Sequence, residues 1–292
     1  METFQQKIEF VSIIKKKNVT LFEEFLAFLD RSMKTPIGFG WFHLLCLMII
    51  VSLCIFTVLK ARNISDKAFN RTLGITAGIL LLLEVYKQLN FSYDSTNDLW
   101  RYQWYAFPFQ FCSTPMYVML AAALIPQEKI RKSLHAFLAT YTLFAGCAVM
   151  LYPNDVFIST IGINIQTMVH HGMMVVIGIF MYASGRVKYS HKMIQHALPT
   201  FITLISLALT ANIIYGKFGD PEQTFNMFFI SPYYTCTLPV LSLVYGKVPY
   251  LVFLSCYIIG FSAAAYLTSL LVLVTEIFYT KIKNKWYKVK RA

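Results

Sequence analysis

Charge is scarce in this chain. Asp, Glu, Lys and Arg together make up 14% of its 292 residues, where a water-soluble domain carries about a quarter. Hydrophobic residues reach 57% and the mean hydropathy is +0.55, which excludes an ordinary hydrated exterior and points to a lipid solvent. Cysteine motifs are missing too. Cys46, Cys54, Cys112, Cys147, Cys236 and Cys256 are scattered, with no CxxC pair and no secreted disulfide framework. The first forty residues hold no short apolar core followed by a cleavage site, so no removable signal peptide is expected. Tandem repeats and low-complexity segments are absent as well.

What the chain does have is long apolar runs. A helix needs about twenty predominantly apolar residues to cross the hydrocarbon core. On that basis spans are expected near 41–60, 73–92, 104–125, 133–152, 163–183, 196–216 and 250–275, an all-α membrane bundle of seven transmembrane helices. Turn formers such as Tyr152-Pro153-Asn154-Asp155 and Ile125-Pro126 separate them. The stretch 225–245 is also apolar, but Pro232 and Pro239 interrupt it, so 217–249 reads as an external re-entrant or interfacial lid rather than an eighth span. Residues 1–40 read as an extracytoplasmic segment. Within it Val19, Phe22, Leu26, Leu29 and Met33 share one helical stripe, and Thr20 with Glu23 has capping-box spacing. Residues 276–292 form a basic tail.

The net charge of +12 suggests nucleic acid only until the 26 basic residues are located. They lie between the apolar runs and compose no single basic face, so nucleic acid is not expected as a partner and membrane lipid is. Lys60, Arg62, Lys67 and Arg71 occupy the first loop, Lys129, Arg131 and Lys132 the third, and Arg186, Lys188 and Lys192 the fifth. Six more lie in the tail. The opposite loops hold only Arg101, Lys217 and Lys247, and the N-terminal tail adds six, of which only Arg31 and Lys34 lie close to the first span. This imbalance predicts a cytoplasmic C-terminus, an external N-terminus and a multi-pass protein of the plasma membrane.

Polar groups inside the spans cost several kcal/mol unless paired or wet. With that orientation they collect in the outer half. His43 starts the first span; Glu84 and Lys87 lie in the outer half of the second; Gln110 and Cys112 occupy the first turns of the third. Gln166, His170 and His171 open the fifth, and Asn212 lies near the outer end of the sixth. His171 is then about eight residues, roughly 12 Å, below the outer end of its helix. Glu84 and Lys87, three apart, either neutralise each other or free Glu84 to orient a histidine. His170 and His171 are separated by about 100° around their helix, so one of them faces the pocket.

Several blocks resemble the YwaF-like integral membrane proteins: Gly38-Phe-Gly-Trp-Phe-His43-Leu-Leu, Phe107-Pro-Phe-Gln-Phe-Cys112-Ser, Val169-His-His171-Gly-Met-Met-Val, Asn226-Met-Phe-Phe-Ile-Ser-Pro232 and Gly246-Lys-Val-Pro-Tyr250. That family is similar to a eukaryotic group of transmembrane acyltransferases that move acyl chains onto ether phospholipids. The resemblance implies a cysteine after the motif proline and a histidine on a later helix as the reacting pair. The histidine corresponds to His171. The cysteine corresponds to Phe109 and the histidine following it to Gln110, so the pattern is broken there. Cys112 lies three residues on, near the same helix face.

Two functions follow. In the enzymatic one, acyl transfer or acyl hydrolysis, Cys112 is the nucleophile, His171 its base, Glu84 the orienter, and Gln110 or Asn212 an oxyanion donor. His43, Lys87, Gln166, His170 and Asn212 then hold the substrate. In the other, the same pocket solvates the headgroup of a lipid or small amphiphile without reacting. A retinal protein is disfavoured, since 250–275 contains no lysine. No cofactor or metal is expected: the candidate ligands lie on separate helices without short spacing.

Overall fold

Eight helices account for most of the chain in the computed structural model, which describes residues 21–94, 97 and 99–289, with backbone alone at 22, 23, 26, 29 and 274–289. They are α1 (Leu21–Leu29), α2 (Trp41–Lys60), α3 (Asp66–Ser92), α4 (Thr114–Leu124), α5 (Glu128–Leu151), α6 (Ile161–Ala183), α7 (Met193–Phe218) and α8 (Tyr250–Val289). Six of these, α2, α3, α5, α6, α7 and α8, are long and apolar enough to cross a membrane. The Val19 and Thr20 part of the amphipathic stripe lies outside the described residues, as do the basic side chains of the tail.

Local chemistry sets the helix ends. Ser65, in extended conformation, caps α3 by accepting the Ala68 N–H at 3.3 Å, and Asp66 follows in the first turn where the helix end is positive. Inside α5, Leu138–Thr142 makes one π turn, all five residues buried. The order of connections sorts the loops into two ends. Residues 30–40, 99–113, 152–160 and 219–249 meet at one end, tied by Met33 N–H to Ser159 O (2.7 Å), Gly38 N–H to the Asn154 side chain (3.0 Å) and Trp104 N–H to Gln223 Oε1 (3.1 Å). The basic loops meet at the other, where Arg186 pairs with Asp66 and lies over the Phe69 ring.

At the third expected span, 104–125, the structure departs from the sequence reading. Only Thr114–Leu124 is α-helical, about 16 Å long, and the chain above it is irregular apart from a 3-10 turn at Trp104–Ala106. Pro108 follows a residue, Phe107, held out of the helical region (φ −46°, ψ 135°), and the helix begins only at its first-turn proline, Pro115. Pro115 has no N–H, so the Phe111 carbonyl four residues earlier takes the Thr114 hydroxyl instead, at 2.9 Å. The segment 219–249 contains two short 3-10 turns, Met227–Phe229 and Leu241–Leu243, and no spanning helix.

The helix α6 is largely buried and packs against α2, α3 and α5. Glycine permits two of these approaches. A Cβ on Gly172 would lie 2.3 Å from Ile50 Cδ1 of α2, and one on Gly146 of α5 would lie 2.8 Å from the His171 carbonyl. By contrast α2 turns Met48, Ile55, Phe56 and Leu59 outward, the pattern of a lipid-facing helix.

Candidate functional site

Because the chain is not yet helical at Cys112, its carbonyl is available to another part of the protein. His170 on α6 takes it: Nε2–H donates at 2.9 Å. That fixes the tautomer and leaves Nδ1 unprotonated, and among the described residues this buried nitrogen has no partner. His171 is fixed differently. Its Nδ1–H donates to Thr167 O at 2.8 Å, one turn back on the same helix, which leaves Nε2 as the nitrogen with a free lone pair. The two rings are 5.5 Å apart.

Across from them α3 presents Glu84, which is 3% exposed. Its Oε1 accepts from Lys87 Nζ at 2.7 Å and from Gln88 Nε2 at 2.8 Å. Gln88 also donates to Ala106 O at 2.6 Å, tying α3 to the irregular segment above α4. Glu84 Oε2 is buried with no partner among the described residues. His170 feels both Glu84 and Lys87 electrostatically, and Cys112 feels Lys87. The fold therefore gathers Glu84, Lys87, Cys112, His170 and His171 from three separate segments. The two rings are held differently: His170 bonds the Cys112 main chain, whereas the hydrogen bond orienting His171 comes from its own helix.

The other expected residues are committed elsewhere. Asn212 is fully buried and engages Met227 twice, donating Nδ2–H to its carbonyl (2.9 Å) and accepting its N–H (2.8 Å). Gln110 does the same to the neighbouring peptides, donating to Asn226 O (3.1 Å) and accepting from Phe228 N–H (3.0 Å). Together the two amides seat residues 226–228 as a plug at the mouth of the bundle. Phe228 is buried there between Phe109 and Phe111. His43 lies apart from the cluster: Nδ1 accepts Phe39 N–H (2.8 Å) and Nε2–H donates to Met150 O (2.9 Å), so both ring nitrogens serve the backbone. Gln166, buried beside Thr167, accepts its hydroxyl at 3.4 Å.

Residues 38–287 match the TMEM164 family. The chain belongs to the TMEM164 family. It is accordingly a multi-pass membrane protein, in agreement with its six spanning helices. No curated protein and no solved structure matches it.

Two residues of this TMEM164-family site escape sequence reasoning. Gln88 sits one turn beyond Glu84, a spacing that signals contact but not the bridge to Ala106. Tyr257 of α8 is 0% exposed with an unpartnered hydroxyl among the described residues, and it lies within electrostatic reach of Cys112. Nothing in an apolar helix sequence distinguishes it from the other 17 of the chain's 18 tyrosines.

Proposed function

We propose that this protein transfers or hydrolyses the acyl chains of membrane phospholipids, with Cys112 as nucleophile and His171 as its base. The observation that carries the reading is the ring of His171: Nδ1–H is committed to Thr167, so the lone pair of Nε2 is free to accept a proton in the layer where His170 holds the Cys112 main chain. In the reaction the Cys112 sulfur forms a bond to the ester carbonyl carbon as its proton passes to His171 Nε2. The carbonyl π pair moves onto oxygen, then returns and expels the lysophospholipid alkoxide, which takes the proton from the imidazolium. A second alcohol, or water, releases the acyl group from sulfur in the same way. The likeness of the chain's motif blocks to those of the YwaF-like proteins, a family similar to ether-phospholipid acyltransferases, supports this chemistry, with Cys112 taking the place of the motif cysteine that Phe109 replaces. The irregular backbone at 101–113 supports it too, since non-helical chain at membrane depth is tolerated where protein or a cavity surrounds it.

The same reading puts seven crossings in the plasma membrane, the basic loops and C-terminus in the cytoplasm, and the cluster in the outer half. Full-length protein in liposomes containing a phospholipid with a labelled acyl chain tests it. Wild type is expected to move or release the label, and Cys112→Ala and His171→Ala to lose about 10²- to 10⁴-fold. Equal rates in all three would refute it.

The Glu84–Lys87 pair, its carboxylate buried and its ammonium partly exposed, favours a second reading, a non-reacting site for a zwitterionic headgroup. Lipid retained by wild type and Cys112→Ala alike, without acyl transfer, selects that reading.

A further inference from the structure

An acyl-transfer step develops negative charge on the carbonyl oxygen, and a donor preset toward that oxygen is commonly the largest single catalytic contribution. Both amides that the sequence offers for this purpose are turned to the 226–228 main chain, Gln110 and Asn212 each donating one N–H and accepting one there. Three buried side-chain atoms near the cluster have no partner among the described residues: Glu84 Oε2, His170 Nδ1 and the Tyr257 hydroxyl. Glu84 is held by Lys87 and Gln88 as a carboxylate, and His170 already spends its ring N–H on Cys112 O, so the first two atoms are acceptors. Tyr257 alone has an O–H to give.

Its placement suits the task. Tyr257 is fully buried, and a buried tyrosine hydroxyl ordinarily finds a partner. The ring is stacked on Phe261 at 4.3 Å, and Phe261 meets Phe111, the residue before Cys112, edge-on at 5.0 Å. This aromatic chain links the phenol on α8 to the residue before Cys112.

We propose that the Tyr257 hydroxyl donates a hydrogen bond to the carbonyl oxygen of an acyl ester or thioester under attack by Cys112. The proposal rests on the acyl-transfer reading above. When the Cys112 sulfur bonds to the carbonyl carbon, its proton goes to His171 and the π pair goes to oxygen, where Tyr257 O–H stabilises it without giving up its proton. The pair then re-forms the carbonyl as the alkoxide or thiolate leaves and is protonated by His171.

Two reagents separate this role from packing. Both bond to the Cys112 sulfur, but a fatty acyl thioester builds an oxyanion on the way and iodoacetamide does not. Full-length wild type, Tyr257→Phe and Cys112→Ala are treated with each in detergent–lipid micelles, and labelling of the Cys112 peptide is timed by mass spectrometry. Tyr257→Phe is expected to slow acylation by about 10²- to 10³-fold and to leave alkylation within about twofold. Unchanged acylation in Tyr257→Phe overturns the role of the phenol and leaves the acyl-transfer reading standing. An equal fall with both reagents also overturns it, because it marks lost access or packing. A wild type that iodoacetamide labels but the thioester never acylates overturns the reading and the donor together.

Discussion

Replacing Asn212 by Leu is expected to unseat the plug without unfolding the bundle. Asn212 is fully buried and satisfies both the N–H and the C=O of Met227, at 2.8 and 2.9 Å. Leu offers neither donor nor acceptor, so two buried backbone groups lose their partners at about 1–3 kcal/mol each. The next two residues add to the effect. Phe228 and Phe229 have φ of 59° and 57°, a left-handed conformation that costs about 1–2 kcal/mol per non-glycine residue. That strain is tolerated only while hydrogen bonds hold the segment, so both contributions favour release of 226–231. The two lost bonds together amount to about 2–6 kcal/mol and raise the local opening constant roughly thirty- to twenty-thousand-fold, at 1.4 kcal/mol per factor of ten. Hydrogen exchange read by mass spectrometry measures this directly. The amides of Met227, Phe228 and Ser231, bonded to Asn212, Gln110 and Asn226 respectively, should lose protection while α5 and α6 keep theirs. Unchanged exchange at 226–231 would refute the clamp. Exchange accelerated uniformly through α5 and α6 would show that Asn212 holds the whole bundle instead.

Gly172→Ala sets a methyl group 2.3 Å from Ile50 Cδ1; it is expected to destabilise the protein by about 1–3 kcal/mol, and Ile50→Ala in the same chain should recover part of the loss in thermal unfolding. His43→Phe keeps a ring but strands the Phe39 N–H and Met150 carbonyl; a loss of about 1–3 kcal/mol with acyl transfer per folded molecule preserved marks a structural histidine, whereas selective loss of activity returns it to the site. Orientation is open to cysteine scanning in intact cells. Glu222→Cys, at the plug end, should react with an impermeant maleimide from outside, and Lys188→Cys, at the basic end, only after permeabilisation; the reverse pattern inverts the topology.

Much of this protein is written in one dimension. Spanning helices follow from apolar run length, because lipid leaves the backbone no partner except itself, and Trp41–Lys60 coincides with the first run of the sequence. The polar residues that stand out against such runs are also legible one by one, which is why Glu84, Cys112, His170 and His171 can be singled out by composition and position alone. The third span shows where reading by composition fails. An average over 104–125 counts Phe107, Phe109 and Phe111 as membrane-like, while the backbone there is shaped by two prolines, Pro108 after the non-helical Phe107 and Pro115 in the first turn of the helix.

Partner choice was beyond the sequence altogether. Gln110 and Asn212 look like free amides in a pocket, yet both are consumed by a plug more than a hundred residues and 15 residues away, respectively. His170 and His171 are adjacent and chemically identical. Only the turn of α6 gives one of them the Cys112 carbonyl and the other a carbonyl of its own helix. Tyr257 is the extreme case, anonymous in an apolar helix until packing isolates its hydroxyl. Transfer free energy is nearly additive along a chain, so sequence determined which segments enter the membrane and which groups are costly there. A hydrogen bond depends on position to a few tenths of an ångström, so only the tertiary structure decided which of those groups are satisfied and which are left without a partner among the described residues.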